Sequence, residues 1–253
     1  MDEAIELRMV PNPKWVRGVV GGTTVIDSRD VQFVWEHPYY PAWYFPVEAV
    51  DGDLQANGLV TESVLRGTGT RYDLTVNGQT RENAAVRYLE AADARLHDLV
   101  RIEWDALDAW FEEGVEVFVH PRSPETRVDV LRSSKAVRVS IDGVVVAESN
   151  QPSLLFETGL PTRYYLPKSD VRMDLLTPNT TETACPYKGW ANYWDVTVNG
   201  VVHSDAAWGY RTTLPEAAGI SGLVCFYNEH VDLEIDGEPI ERPTTLFTEN
   251  PFA

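Results

Sequence analysis

The feature that most constrains this chain is an internal duplication. The run Tyr72-Asp73-Leu74-Thr75-Val76-Asn77-Gly78 returns 122 residues later as Trp194-Asp195-Val196-Thr197-Val198-Asn199-Gly200. Residues 16–50 also align without a gap to residues 137–171, at an offset of 121. Unrelated segments would not keep order and spacing over such lengths, so the chain holds two homologous domains. We place them at residues 1–124 and 125–253, because the prolines and charges of residues 120–125 are typical of a domain boundary.

Both repeats have the sequence periodicity of β-strands. Residues 137–141 alternate between apolar and polar side chains, reach Asp142-Gly143, and continue as a second apolar run. An Asp-Gly or Asn-Gly pair between two such runs is a strong β-hairpin signal. Residues 195–203 and 231–237 show the same pattern. The sequence therefore predicts a mainly β protein made of two tandem domains of short antiparallel strands.

Helical spacing is found mainly in the first repeat. Apolar residues in 82–96 recur at intervals that would place them on one face of a helix, and residues 105–112 form a second short amphipathic run. The matching part of the second repeat, residues 213–220, has room for about two helical turns before Gly219. We therefore expect short helices mainly in the first repeat.

Composition and charge limit the partners that the chain can have. Its 253 residues carry a formal net charge of -18, which repels nucleic-acid phosphates and anionic lipid. No apolar run reaches the roughly 18 residues that a membrane span needs. The first residues are acidic, whereas a secretory signal begins with basic residues followed by an apolar run. We expect a cytoplasmic protein without nucleic-acid or membrane partners.

The chemically richest segment is Thr183-Ala184-Cys185-Pro186-Tyr187-Lys188-Gly189. A cysteine reacts as thiolate, and a cation three residues away, Lys188, would favour that form of Cys185 if residues 185–189 make a tight turn. The alternative is a buried, unreactive Cys185 with a solvated Lys188. Lys188 has two interpretations of its own: desolvation by aromatic neighbours could lower its pKa and make it a base or imine former, or its stem simply packs on those rings.

Other candidate site residues surround this segment in the second repeat. Glu157 ends an apolar run and could act as a general base or hold Arg163, or it is an ordinary surface carboxylate. Adjacent aromatic residues on a strand point to opposite faces, so we expect at least half of the rings to leave the main core and line a ligand pocket or an interface. The candidate ligand-binding residues are Arg163, Tyr164, Tyr165, Tyr187, Tyr193, Trp194, Trp208 and Tyr210.

No metal or cofactor is predicted. The two cysteines, Cys185 and Cys225, are expected to be free thiols, and the sequence has neither Cys-x-x-Cys nor His-x-x-x-His spacing. In the first repeat the positions of Cys185 and Lys188 hold Ser63 and Arg66, so that copy is degenerate and has lost the thiol.

The chain resembles the domain of unknown function 427 in tandem form. The resemblance covers nearly the whole chain and rests on Cys185-Pro186-Tyr187-Lys188-Gly189, Tyr193-Trp194, Asp205-Ala206-Ala207-Trp208 and Phe226-Tyr227. It implies a β-tent type of fold, as in methionine sulfoxide reductase B and the ligand-binding domain of cereblon. Those relatives often hold zinc through paired cysteines that this chain lacks, so zinc is not carried over.

These observations lead to two hypotheses of function. In the first, the second repeat binds a small molecule, or is a cofactor-free enzyme, in an aromatic-lined pocket centred on Cys185 and Lys188. In the second, the protein is a non-catalytic interaction module whose aromatic surface forms an interface between domains or within a homodimer. Solvent access to Cys185 and Lys188 distinguishes them.

Overall fold

The computed structural model describes residues 7–245 and 247–249, and it divides the chain into two compact units. Unit 1 is Met1–Ser123 and unit 2 is Pro124–Ala253. Both are built almost entirely of antiparallel β-strands, which confirms the predicted mainly β fold.

In unit 1, a seven-stranded sheet has the order β1-β4-β5-β9-β8-β7-β6, and a smaller sheet has the order β11-β10-β2-β3. Its strands are β1 Met9–Asn12, β2 Val16–Val20, β3 Thr23–Ser28, β4 Val31–Val34, β5 Ala42–Pro46, β6 Asp53–Ser63, β7 Gly67–Val76, β8 Gln79–Ala91, β9 Leu99–Ile102, β10 Ala109–Glu112 and β11 Val115–Val117. Its 3-10 helices are Val47–Ala49, Ala94–Leu96 and Trp104–Ala106.

Unit 2 repeats this arrangement in three sheets, with the orders β12-β15-β16, β14-β13-β21-β22 and β17-β18-β19-β20. Its strands are β12 Val128–Arg132, β13 Val137–Ile141, β14 Val144–Ser149, β15 Ser153–Glu157, β16 Arg163–Tyr165, β17 Leu176–Cys185, β18 Gly189–Val198, β19 Val201–Thr213, β20 Cys225–Phe226, β21 Asp232–Ile235 and β22 Glu238–Ile240. Its 3-10 helices are Lys168–Asp170, Met173–Leu175 and Pro215–Ile220.

The predicted hairpins are confirmed. The turns at Asp142-Gly143, Asn199-Gly200 and Asp236-Gly237 have positive φ at both residues, the conformation that matches the twist of two-residue hairpins.

The helix predicted over residues 82–96 is wrong. Most of that segment is strand β8, and only Ala94–Leu96 is helical. Ala85 packs into one buried cluster of unit 1 while Val86 and Tyr88 pack into another, because the sheet is covered on both faces. A strand buried on both sides has apolar residues at consecutive positions, and this pattern imitates helical spacing.

The helix predicted over residues 105–112 is also wrong. The segment holds the end of the 3-10 helix Trp104–Ala106 and then strand β10, which pairs with β2 and β11. Its buried residues Leu107 and Trp110 enter one core from an extended chain. Among the described residues, each unit has three 3-10 helices, so helix is not concentrated in the first repeat.

The described residues form two buried clusters in each unit. In unit 2 one cluster, which includes Val196 and Phe226, is mostly aliphatic. The second lies on the opposite face of the β17–β20 sheet and is mostly aromatic, with Tyr165, Tyr193, Trp208, Tyr210 and Tyr227. We call this second cluster the aromatic core. It lies beside the segment that the sequence singled out.

Candidate functional site

The Cys-Pro-Tyr-Lys-Gly segment is the turn between β17 and β18. The Lys188 N–H donates to the Cys185 carbonyl at 3.3 Å, which closes the turn and brings these two residues together. Gly189 has φ +103°, and a Cβ there would lie 3.3 Å from the Thr212 carbonyl oxygen of β19. Glycine at this position therefore lets the chain re-enter the sheet directly after the turn.

Lys188 joins the turn to the end of β15. Its amine donates a hydrogen bond to the Glu157 carboxylate, and the nearby Cys185 sulfur raises the pKa of that amine. The Lys188 and Glu157 side chains are 12% and 9% exposed, and Cys185 is partly exposed. The thiol, ammonium and carboxylate thus form one cluster, neither sealed nor in bulk water, which we call the Cys185 cluster.

The environment of Lys188 keeps its amine protonated. Burial alone would lower the pKa of Lys188, but the neighbouring Cys185 sulfur and the Glu157 carboxylate outweigh it, and the pKa is raised above its ordinary value. A raised pKa favours the ammonium form over the desolvated neutral amine that a base or imine former requires. Lys188 is a buried cation beside a thiol.

Two phenols adjoin the Cys185 cluster. The pKa of Tyr210 is raised well above its ordinary range by burial, by Tyr165 and by the nearby Cys185. The pKa of Tyr165 is raised in the same way by burial, and its hydroxyl accepts a hydrogen bond from the Trp208 indole at 3.2 Å. Both phenols stay neutral and can donate hydrogen bonds.

The structure separates the predicted aromatic walls into two groups. Tyr165, Tyr193, Trp208 and Tyr210 lie together in the aromatic core, each at most 7% exposed. Trp194 belongs to the aliphatic cluster on the opposite face of the sheet, where Tyr164 also packs, and Tyr187 is partly exposed in the turn. The rings alternate as expected, but they do not leave the core, because the sheet has a core on each face.

Arg163 has a partner other than the one considered from the sequence. Its guanidinium makes two hydrogen bonds to the Glu229 carboxylate, at 2.6 and 2.8 Å, and both side chains are buried. The Thr245 hydroxyl donates to the same carboxylate at 2.6 Å. Glu229 was not predicted from the sequence. The feature that could have indicated it is its position directly after Phe226-Tyr227-Asn228, where a carboxylate follows two aromatic residues. Glu157 holds Lys188 rather than Arg163.

The second thiol, Cys225, is in an environment that disfavours the reactive thiolate. Cys225 is fully buried in the aromatic core, and burial raises its pKa to about 12. Both cysteines are free, as predicted. No group of three or more metal-binding side chains occurs among the described residues.

Unit 1 carries the same arrangement with different chemistry. Arg66, at the position of Lys188, contacts Glu36, at the position of Glu157, at 3.3 Å. The Tyr44 hydroxyl donates to Glu36, and Arg66 donates to the Tyr88 hydroxyl at 3.1 Å. Ser63 replaces the thiol and accepts a hydrogen bond from the Arg66 backbone N–H. The carboxylate, the cation and two phenols are thus common to both units, and the thiol is specific to unit 2.

Comparison with known proteins agrees with the duplication. The family model described as "Domain of unknown function (DUF427)" matches the chain twice, over residues 8–113 and 129–237. The chain belongs to this family. The double match confirms the tandem DUF427 organisation that the sequence motifs indicated.

A search of curated proteins found no match to the chain. Within the described residues, no helix is both long and apolar enough to cross a membrane.

Proposed function

We propose that unit 2 is a small-molecule-binding domain in which the Cys185 thiolate is the nucleophile of a cofactor-free reaction. One observation carries the proposal: the turn closed by the Lys188 N–H and the Cys185 carbonyl brings the two residues together, and Glu157 holds the Lys188 amine in this partly exposed cluster. A fixed cation next to a sulfur favours thiolate over thiol. Burial without that cation would favour the neutral thiol.

Each residue of the Cys185 cluster has a distinct role. The Cys185 thiolate would add to an electrophilic carbon of the ligand, and the displaced electron pair would move to a ligand oxygen. The Lys188 ammonium donates hydrogen bonds to that oxygen, as donors do in oxyanion sites. Glu157 orients Lys188, so it is a positioning residue. The neutral Tyr210 hydroxyl, whose pKa is raised by burial, by Tyr165 and by Cys185, would be a second donor to the ligand.

The aromatic core supports the cluster rather than forming the walls of a wide pocket. Its rings pack on one another, with the Trp208 and Tyr227 centroids 4.3 Å apart. A ligand would therefore reach the cluster from the turn of residues 185–189, where Tyr187 is partly exposed. This geometry suits a compact electrophile better than a large planar molecule.

The test is the rate at which iodoacetamide alkylates the native protein at pH 7, followed by mass spectrometry of the modified residue. We expect Cys185 to be labelled and Cys225 to remain intact, because Cys225 is buried. Lys188→Met should slow the labelling of Cys185 about tenfold or more, since one charge interaction is commonly worth a unit of pKa or more. Lys135→Met is the matched control, because Lys135 is an exposed lysine of the same unit.

If Cys185 is alkylated at the same rate in Lys188→Met as in the native protein, Lys188 does not activate the thiol and the proposed function is wrong. Complete inertness of native Cys185 would also contradict the proposed function. The alternative, a non-catalytic interaction module, is favoured by the half-exposed Trp190 on β18. Self-association or partner binding that is weakened by Trp190→Ser, together with an inert Cys185, would support that alternative.

A further inference from the structure

In unit 1, the sheet face that corresponds to the aromatic core carries charged side chains. Arg71 on β7, Val86 on β8, Arg101 on β9 and Tyr44 on β5 are directly paired neighbours across four strands. Directly paired residues point to the same face of a sheet. One continuous row thus holds two guanidinium groups.

The row has an equivalent in unit 2 that is filled by rings and a thiol. Tyr193 and Trp208 occupy the positions of Arg71 and Val86, and Cys225 pairs with Trp208 as Arg101 pairs with Val86. All three are buried. Unit 1 therefore has a small valine in place of the Trp208 ring, and arginines in place of Tyr193 and Cys225. The two arginine side chains reach water, with exposed fractions of 31% for Arg71 and 23% for Arg101.

Among the residues joined by ion pairs on this face, positive charges outnumber negative ones by one. Arg101 lies between the two carboxylates: it pairs with Glu36 at 2.7 Å and also with Glu103. Arg71 reaches Glu103 only at 3.4 Å, and Arg66 reaches Glu36 only at 3.3 Å. A charge-assisted hydrogen bond is usually about 2.7–2.9 Å long. Three guanidinium groups thus share two carboxylates, and the ion pairs made by Arg66 and Arg71 are longer than a charge-assisted hydrogen bond.

We infer that unit 1 binds a small molecule through an oxyanion group, a carboxylate or a phosphate, at the cluster formed by Arg66, Arg71 and Arg101. The oxyanion would accept hydrogen bonds from the guanidinium groups that now hold carboxylates loosely, and it would balance the one positive charge in excess. Arginine provides the planar, two-pronged donor geometry that such groups fit.

The site binds without nucleophilic chemistry, because Ser63 stands where unit 2 has Cys185. The inference is independent of the function proposed for unit 2. It relies on different residues, and neither the reactivity of Cys185 nor its absence bears on it.

The experiment is an NMR titration of the full chain with two probes, inorganic phosphate and benzoate, at constant ionic strength set with chloride. We expect saturable shifts of the arginine side-chain N–H signals of the cluster with at least one probe. Arg71→Gln should weaken that binding about tenfold or more, because it removes a charged hydrogen-bond donor. The probe that gives saturable shifts shows whether the site prefers a phosphate or a carboxylate ligand.

The matched control is Arg81→Gln, which removes a guanidinium from the same unit that pairs with Asp108 at 2.7 Å outside the cluster. It should leave the affinity unchanged. Absence of saturation with both probes up to about 10 mM, a concentration well above a millimolar dissociation constant, would overturn the inference. Equal losses in the two variants would also overturn it, since they would show a general charge effect.

Discussion

The buried ion pair of unit 2 allows a sharp test of how the aromatic core is held together. Glu229→Gln removes the carboxylate charge while keeping the size of the side chain. The Arg163 and Glu229 side chains are only 6% and 0% exposed, and the guanidinium lies 5.6–5.7 Å from the ring centres of Trp208, Tyr227 and Phe247. The variant therefore leaves a positive charge buried among rings without its counter-ion.

The expected cost follows from that environment. Removing one partner of a buried ion pair typically costs about 3–5 kcal/mol of unfolding free energy. For a domain of this size that loss corresponds to a decrease of about 10–20 °C in Tm. Rings near the guanidinium compensate part of the lost attraction, but a ring interaction is worth only about 0.5–2 kcal/mol.

Urea unfolding of the full chain measures the decrease in the free energy of unfolding that Glu229→Gln causes. Tryptophan fluorescence is the signal, because Trp208 adjoins Arg163. Asp174→Asn is the matched control: it breaks the Arg172–Asp174 pair, whose side chains are 55% and 61% exposed, and should cost less than about 1 kcal/mol. Replacing both Arg163 and Glu229 by Met should recover much of the loss, since apolar pairs often substitute for buried ion pairs. A cost below about 1 kcal/mol for Glu229→Gln would show that the pair behaves like an exposed ion pair and does not hold the aromatic core together.

The same pair predicts a pH dependence. Although burial alone would raise the pKa of Glu229, its bonds from Arg163 and Thr245 lower it below the ordinary value of 4.5. A carboxylate whose pKa is lower in the folded state stabilises the fold above its unfolded pKa, and this stability is lost as the pH falls through the folded pKa. The difference in stability between the native protein and Glu229→Gln should therefore be constant near neutrality and shrink below about pH 4.5.

Two further predictions concern packing in unit 2. Gly209→Ala should destabilise the protein by about 1–3 kcal/mol in the same urea assay, because the new Cβ would lie 2.3 Å from the Leu223 carbonyl oxygen. Gly114→Ala, where the Cβ would meet nothing within 4 Å, should stay within about 0.5 kcal/mol, and similar costs for both would contradict the packing argument. Cys225 should react with thiol reagents only at urea concentrations that unfold unit 2, and labelling below them would show that the aromatic core opens locally.

The duplication, the β architecture and the proximity of Cys185 to Lys188 could all be predicted from the amino-acid sequence. These features are local or periodic. Matched blocks give the repeats, and pairs such as Asp142-Gly143 and Asn199-Gly200 require the positive φ values of hairpin turns. The spacing of Cys185 and Lys188 also sufficed to bring them together, because a three-residue separation across a tight turn involves no distant part of the chain.

The partners of the charged site residues could not be predicted, because they come from distant parts of the chain. Glu157 holds Lys188 across 31 residues and Glu229 holds Arg163 across 66, and neither pairing leaves a periodic trace in the sequence. Burial on both faces of a sheet also changed local patterns, since it gave β8 an apolar spacing that resembles a helix. The charge state of Lys188 was likewise set by tertiary contacts, because desolvation and neighbouring anions shift its pKa in opposite directions and only their spatial arrangement determines which prevails.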